Sequence, residues 1–324
     1  MDILYLVLLY LVLQEAWVLW MLVNLPASKL LASDQNKLRG RGITFLETTE
    51  IDAYSITHSI EDGIERIVYV PKNRGHETPI LMAHGMWHGA WYWQTWQAHL
   101  AEQGWESIAY SLPGHGKSPT QKRITFCTLS YYLAFLRDEV NRLPSKPVLM
   151  GHSMGGALSQ WYLRHVNDDL PAIILVAPWM SHSTFASTIP FIKLDPIGFL
   201  LPFITWNTAC WMRSPKAAAS KLITSGAILS PEELHARLGT ESALVLFQHN
   251  PPFWKPADNV RAPMLILAGE RDAVVPFASL EHSAAHYKAD FMTIRNSGHN
   301  LMMEKSYLET ARSIDHWLME KQVP

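Results

Sequence analysis

A chain of 324 residues is long enough to bury one large core, or two smaller ones, without metals or disulfides as staples. Its net charge of −2 and pI near 6.7 give no basic footprint of the kind nucleic-acid binding requires, so DNA and RNA are set aside as partners. Cys127 and Cys210 stand far apart and outside any CxxC or Cys/His cluster, which argues against a disulfide framework and against structural zinc, and permits a reducing compartment.

In chain order the first segment is ILYLVLLYLVLQEAWVLWMLVNL, residues 3–25. As a helix it would extend about 34 Å at about 1.5 Å per residue, enough for a hydrocarbon core of about 30 Å. Glu15 near its midpoint costs roughly 3 kcal/mol of insertion, whereas its fourteen Leu, Ile and Val residues contribute about −4 to −8 kcal/mol together. The balance favours an uncleaved membrane anchor over residues 1–25. A helix lying in the interface is the first alternative. A cleaved signal peptide is the second, although Asp2 occupies the place of a basic n-region. Lys29, Lys37, Arg39 and Arg41 follow the segment and no Lys or Arg precedes it, so charge asymmetry places the main domain on the cytoplasmic side.

After a basic linker over 26–42, ITFLETT (43–49) and IERIVYVP (64–71), the latter bounded by Asp62-Gly63 and by Pro71, read as an antiparallel entry hairpin. Continuous apolar runs then recur at 79–85, 107–114, 147–153, 172–178, 263–272 and 290–299, each stopping where glycine, proline and polar residues begin. Helical patterns separate them: after Trp91, and over 129–143, 156–166, 279–287 and 306–319. In the last, Tyr307, Leu308, Ala311, Ile314 and Leu318 repeat at three- and four-residue spacing. This alternation implies an α/β fold with a mostly parallel eight-stranded sheet and helices on both faces, with function gathered at the carboxyl ends of the strands. From 180 to 258 no buried-strand pattern occurs. The run IPFIKLDPIGFLLPFITW (189–206) reads as part of a helical cap inserted into a domain that spans 43–324.

The stretch GHSMG (151–155) has the form G-x-S-x-G, with an apolar strand before it and a helix after it. Such a turn exposes the Ser153 hydroxyl at a strand end. A hydroxyl needs a base, and the base needs a partner that fixes its tautomer. LAGERDAVVP (267–276) places Asp272 beyond one strand, with Glu270 as a nearby rival, and RNSGHNLMME (295–304) places His299 beyond the last. The order Ser153, Asp272, His299 is that of the α/β-hydrolase triad.

With HGMWHGAW (84–91), SLPGHGKS (111–118), GHSMGG (151–156), GERDAVVP (269–276) and SGHN (297–300), the chain from about 43 to 324 resembles the α/β-hydrolase superfamily. Within it, the chain is similar to esterases and lipases of the monoacylglycerol-lipase type, and HGMWHGAW also resembles the methylesterase and hydroxynitrile-lyase branch. The resemblance implies Ser153 as nucleophile, His299 as general base and then acid, and Asp272 as its orienting partner. It implies the backbone N–H groups of Met86 and Met154 as an oxyanion hole, with Trp87 as the alternative for the first. His84 and His115 are expected to shape loops, and His88 to line the entrance or cap a loop.

The nucleophile at 153 is a serine where epoxide hydrolases and dehalogenases use an aspartate, so ester hydrolysis through an acyl-enzyme is the expected reaction. Acyl transfer, C–C hydrolysis, hydroxynitrile cleavage and a non-catalytic binder remain as alternatives. Trp87, Phe191, Phe199 and Phe203 are expected to contact a lipid-like ester, such as a monoacylglycerol. No cofactor or metal is expected: His282 and His286 lack the carboxylate of HExxH, and GHGKS has Ser111 where a phosphate loop needs glycine. Deleting residues 1–25 is expected to release the protein from membranes into the soluble fraction on centrifugation. Unchanged sedimentation with membranes would contradict the anchor.

Overall fold

The structure is a computed structural model that describes residues 35–324 and, ahead of them, Ala16, with the side chains of Phe203 and Ile204 excepted. The expected anchor at 3–25, Ala16 apart, thus lies outside the described residues. Among the described residues no helix is long and apolar enough to cross a membrane.

The described strands form one sheet: β1 (Ile43–Glu50), β2 (Tyr54–Glu61), β3 (Ile64–Pro71), β4 (Ile80–Ala83), β5 (Ser107–Ser111), β6 (Val148–His152), β7 (Ile173–Val176), β8 (Met264–Gly269) and β9 (Asp290–Ile294). Their order is β1-β2-β3-β5-β4-β6-β7-β8-β9. The ladder is antiparallel from β1 to the β3–β5 pair and parallel from β5 through β4 to β9.

The sheet therefore has nine strands among the described residues, where the apolar runs predict eight. The addition is β2, YSITHSIE, whose partner on each side is the strand of the expected hairpin. Its alternation of Tyr54, Ile56, His58 and Ile60 with Ser and Thr is that of a half-buried strand. Asp62 (φ 52°) and Gly63 (φ 72°) form the two-residue turn between β2 and β3, both in the left-handed region a type I′ hairpin turn requires.

Strands β4, β6, β7 and β8 are buried along their full length, as their unbroken apolar sequences demand. Helices α1 (Gln94–Glu102), α2 (Leu129–Arg142), α3 (Met154–His165), α9 (Phe277–Tyr287) and α10 (Tyr307–Glu320) pack around the sheet, α1 beside α10 and α2 beside α3. Between β7 and β8 lie α4 (Thr188–Leu194), α5 (Pro196–Thr205), α6 (Pro215–Leu222), α7 (Pro231–Arg237) and α8 (Leu244–Gln248). Three of these begin with proline behind a capping side chain. Asp195 accepts from Gly198 N–H, Ser214 from Ala217 N–H, and Ser230 from Glu233 N–H in a full capping box.

The entry strands are locked to the body by one buried ion pair. Arg66 on β3 donates Nε–H to Glu139 Oε2 at 2.6 Å and Nη2–H to Oε1 at 2.5 Å, both side chains being buried. Removing one partner strands the other charge in a poorly hydrated site. Glu139→Ala should lower the free energy of unfolding by about 3–5 kcal/mol in denaturant titrations, and Arg66→Met/Glu139→Leu should recover most of it. A loss below 1 kcal/mol for the single change would show the pair to be solvated.

Candidate active site

Strand β6 passes into α3 through one residue, Ser153, whose backbone is held at φ 51°, ψ −115°. For a residue with a side chain such a conformation costs about 1–3 kcal/mol, so the surroundings must impose it. The glycines on either side act here through close approach. A Cβ on Gly155 would lie 2.1 Å from Ala83 O, and one on Gly151 would lie 2.4 Å from Gly155 O. Ser153 N–H donates to Val176 O at 3.0 Å, and its carbonyl accepts Ala157 N–H at 3.0 Å, which starts α3.

Asp272 follows β8, and its own loop orients it: Oδ1 accepts Val274 N–H at 2.7 Å and Val275 N–H at 3.0 Å. Oδ2 lies 2.8 Å from His299 Nδ1, with both side chains 2% exposed. Glu270, the rival from the sequence, instead accepts Asn296 N–H at the surface. The His299 loop is pinned by Gly298 N–H to Glu304 Oε1 at 3.1 Å and by Asn300 N–H to Leu222 O at 2.8 Å. His152 Nε2–H, one residue before the serine, reaches His299 O at 3.0 Å. Among the described residues Ser153 Oγ makes no hydrogen bond to His299. With Nδ1 committed to Asp272, Nε2 is the ring nitrogen left to serve the hydroxyl, and such bonds commonly tighten when substrate binds.

The loop after β4 lies directly on the serine: a Cβ on Gly85 would stand 3.1 Å from Ser153 Cβ. His84 is structural, donating Nδ1–H to Gly85 O at 2.7 Å and accepting Leu112 N–H on Nε2 at 3.0 Å. Met86 N–H and Met154 N–H enter no backbone hydrogen bond among the described residues; Met154 opens α3, where the first N–H groups lack helical acceptors. His88 is not at the entrance. It is buried, donates Nδ1–H to Met86 O at 2.6 Å and accepts Asn300 Nδ2–H at 3.0 Å, thereby joining the Met86 loop to the residue after His299. Its partner stands 212 positions away, so local sequence carries no sign of it.

The helical insertion reaches into this site. Trp87, at φ 66°, donates its indole N–H to Thr208 Oγ1 at 2.9 Å, and its carbonyl accepts Gly239 N–H at 2.7 Å. His115 Nε2 faces Glu241 Oε2 at 3.0 Å in full burial, and Tyr132 OH donates to Glu241 Oε1 at 3.0 Å. A cavity of about 160 Å³ opens beside Ser153, walled by Met86, Trp87, Phe191, Phe199 and Val275. Of the residues expected to contact substrate, Trp87, Phe191 and Phe199 thus meet the cavity, while the Phe203 side chain lies outside the described residues. His286, half of the considered histidine pair, has Nε2 at 3.0 Å from Ala257 O.

A family model described as "Alpha/beta hydrolase family" matches residues 80–312, which include every one of these loops. The chain belongs to the alpha/beta hydrolase family. Among curated relatives, putative methylesterase 14, chloroplastic, of Arabidopsis thaliana is 33% identical over 102 residues, covering 31% of this chain and 29% of the relative. Epoxide hydrolase 3 of Xenopus tropicalis is 26% identical over 273 residues, covering 76% of this chain and 73% of the relative. Among solved structures, the monoacylglycerol lipase of Paleococcus ferrophilus superposes with a TM-score of 0.58 at 18% identity, over 80% of this chain and 99% of that one. The chain thus spans under a third of the length of the methylesterase it matches, and the likeness to the lipase concerns the fold.

Burial pushes His88 down to about 3 and also holds His84 and His152 well below the ordinary histidine range. All three are neutral in the folded protein above their lowered values but take up protons near 6.5 once unfolded. Below that value the unfolded chain binds more protons, so each such histidine removes up to about 1.4 kcal/mol of stability per pH unit, until pH passes its folded-state value. The thermal midpoint should therefore be level above pH 6.5 and fall steeply between pH 6 and pH 4. A midpoint independent of pH over that range would mean that the rings take up protons in the fold as readily as in the unfolded chain.

Proposed function

We propose that the chain is a membrane-associated serine hydrolase that cleaves carboxylic esters with a lipid-like acyl chain, monoacylglycerols among them. The observation that carries this reading is the 2.8 Å contact of His299 Nδ1 with Asp272 Oδ2, made beside a strained Ser153 that lines an apolar cavity.

In this reading Asp272 holds His299 in the tautomer with Nδ1 protonated, leaving Nε2 to take the Ser153 proton as Oγ attacks the ester carbonyl. Negative charge develops on the former carbonyl oxygen, and Met86 N–H and Met154 N–H are the donors for it. Donors of this kind contribute about 10²–10³ in rate each. His299 then passes its proton to the alkoxide oxygen as the C–O bond breaks, the alcohol leaves, and the acyl group stays on Ser153. Water, deprotonated by His299, attacks the acyl carbon and frees the acid and the serine. Trp87, Phe191 and Phe199 would hold the acyl chain, with Phe203 as a further candidate.

The membrane part of the proposal rests on the apolar leader, with the hydrolase on the cytoplasmic side. The similarity to epoxide hydrolase 3 does not carry that reaction over, because Ser153 stands where epoxide hydrolases are expected to use an aspartate.

A fluorophosphonate probe should label wild-type protein and fail on Ser153→Ala. Across p-nitrophenyl esters from acetate to palmitate, with a monoacylglycerol alongside, turnover should favour medium or long chains and fall by about 10⁴-fold or more in Ser153→Ala and His299→Ala. Activity on acetate alone would overturn the lipid reading, and absence of labelling would overturn the serine reading.

A further inference from the structure

The roof of the cavity is apolar on both sides. Phe191, Phe199 and Pro202 of α4 and α5 face the cavity, while Ile189 (65% exposed), Ile197 (69%) and Leu200 (61%) of the same helices face out. The sequence of α5, PIGFLLPFIT, carries no charge at all. A helix apolar all round is at home only inside a core or against lipid, so an exposed outer face of this kind calls for a cover.

Three observations identify that cover. First, Phe185 lines the cavity and is also 63% exposed, so the outer apolar face is continuous with the cavity's mouth. Second, the charges in 180–206 are Lys193, which is exposed, and Asp195, which is buried. The Asp195 carboxylate caps α5 and pairs with Arg213 and with Lys221 Nζ at 3.0 Å, so residues 180–206 present no free carboxylate to a phosphate-bearing surface. Third, the chain that descends from the apolar 3–25 segment joins the body on the cap side. Lys37 N–H donates to Gln121 Oε1 at 2.8 Å in the loop after β5, and in that same loop Thr125 O accepts the Ser242 hydroxyl of the insertion at 3.1 Å.

We propose that the outer face of α4 and α5 docks on a lipid bilayer, so that an acyl chain passes from the membrane into the cavity at Phe185 without crossing water. This extends the lipid-ester reading above and rests on it for the identity of the traveller. Shallow burial of such a face at the headgroup boundary is the usual mode for a short apolar helix pair flanked by a cation.

The test uses the full chain in a Cys210→Ser background with an environment-sensitive dye on Ile197→Cys, or on Met319→Cys of α10 as an exposed control. On phosphatidylcholine vesicles bearing nitroxide-labelled acyl chains, the dye at position 197 should be quenched at least twofold and the control unaffected. Equal quenching at both sites, or none at 197, would overturn the docking whatever the esterase activity. A concentration-dependent dye shift at 197 without vesicles would also overturn it, by showing that a second copy covers the face. In a second arm, Ile189→Glu/Ile197→Glu/Leu200→Glu should slow hydrolysis of a vesicle-borne long-chain ester at least tenfold, while a soluble short ester is turned over within twofold of wild type. Equal loss on both esters would count against docking. A wild-type chain inert on both would defeat the esterase reading alone, and the dye measurement would still decide the surface.

Discussion

The backbone of Ser153 is the constraint on which the rest of the site depends. A side-chain-bearing residue at φ 51° does not hold itself there, and the turn persists because α3 is pressed against β4 at Gly155 and folded over β6 at Gly151. That compression sets three things together: the hydroxyl stands at the strand end, Met154 becomes the first residue of a helix with its N–H unclaimed among the described residues, and Gly85 lies so close to Ser153 that a Cβ added to it would stand 3.1 Å from Ser153 Cβ. Enlarging either flanking glycine would push α3 away from the sheet and displace all three groups at once.

Around this turn a set of buried polar contacts ties loops from distant parts of the chain. His88 bridges Met86 and Asn300, His152 reaches His299, and Glu304 accepts from both Gly298 and Thr224 of the insertion. Because these groups are out of water, leaving any one unpaired costs more than its bond contributes, so the loops hold one arrangement. Trp87 and Glu241 carry the same logic into the insertion, which makes the roof of the cavity part of the site's framework.

Much of this was legible in the sequence where the determinants are local. A buried strand followed by a glycine-flanked serine and a helix is readable within one window, and so are the strand ends that deliver Asp272 and His299. The half-buried β2 was harder, because Ser55, Thr57 and Ser59 between its larger side chains, together with His58, dilute the apolar alternation on which strand recognition relies. The insertion's helix starts were written at Asp195-Pro196, Ser214-Pro215 and Ser230-Pro231, but their packing over Ser153 was not. The roles of His88, Asn300, Thr208, Glu241 and Glu304 depend on partners far along the chain, and no local pattern encodes such pairings.

A crystal structure of the protein inactivated by a long-chain alkylphosphonate measures the central claim most directly. The account requires phosphorus bonded to Ser153 Oγ, one phosphonyl oxygen accepting from Met86 N–H and Met154 N–H, His299 Nε2 within hydrogen-bond reach of the serine oxygen, and the alkyl chain against Phe191 and Phe199. An adduct on another residue, or a His299 ring turned away from the modified serine, would contradict it.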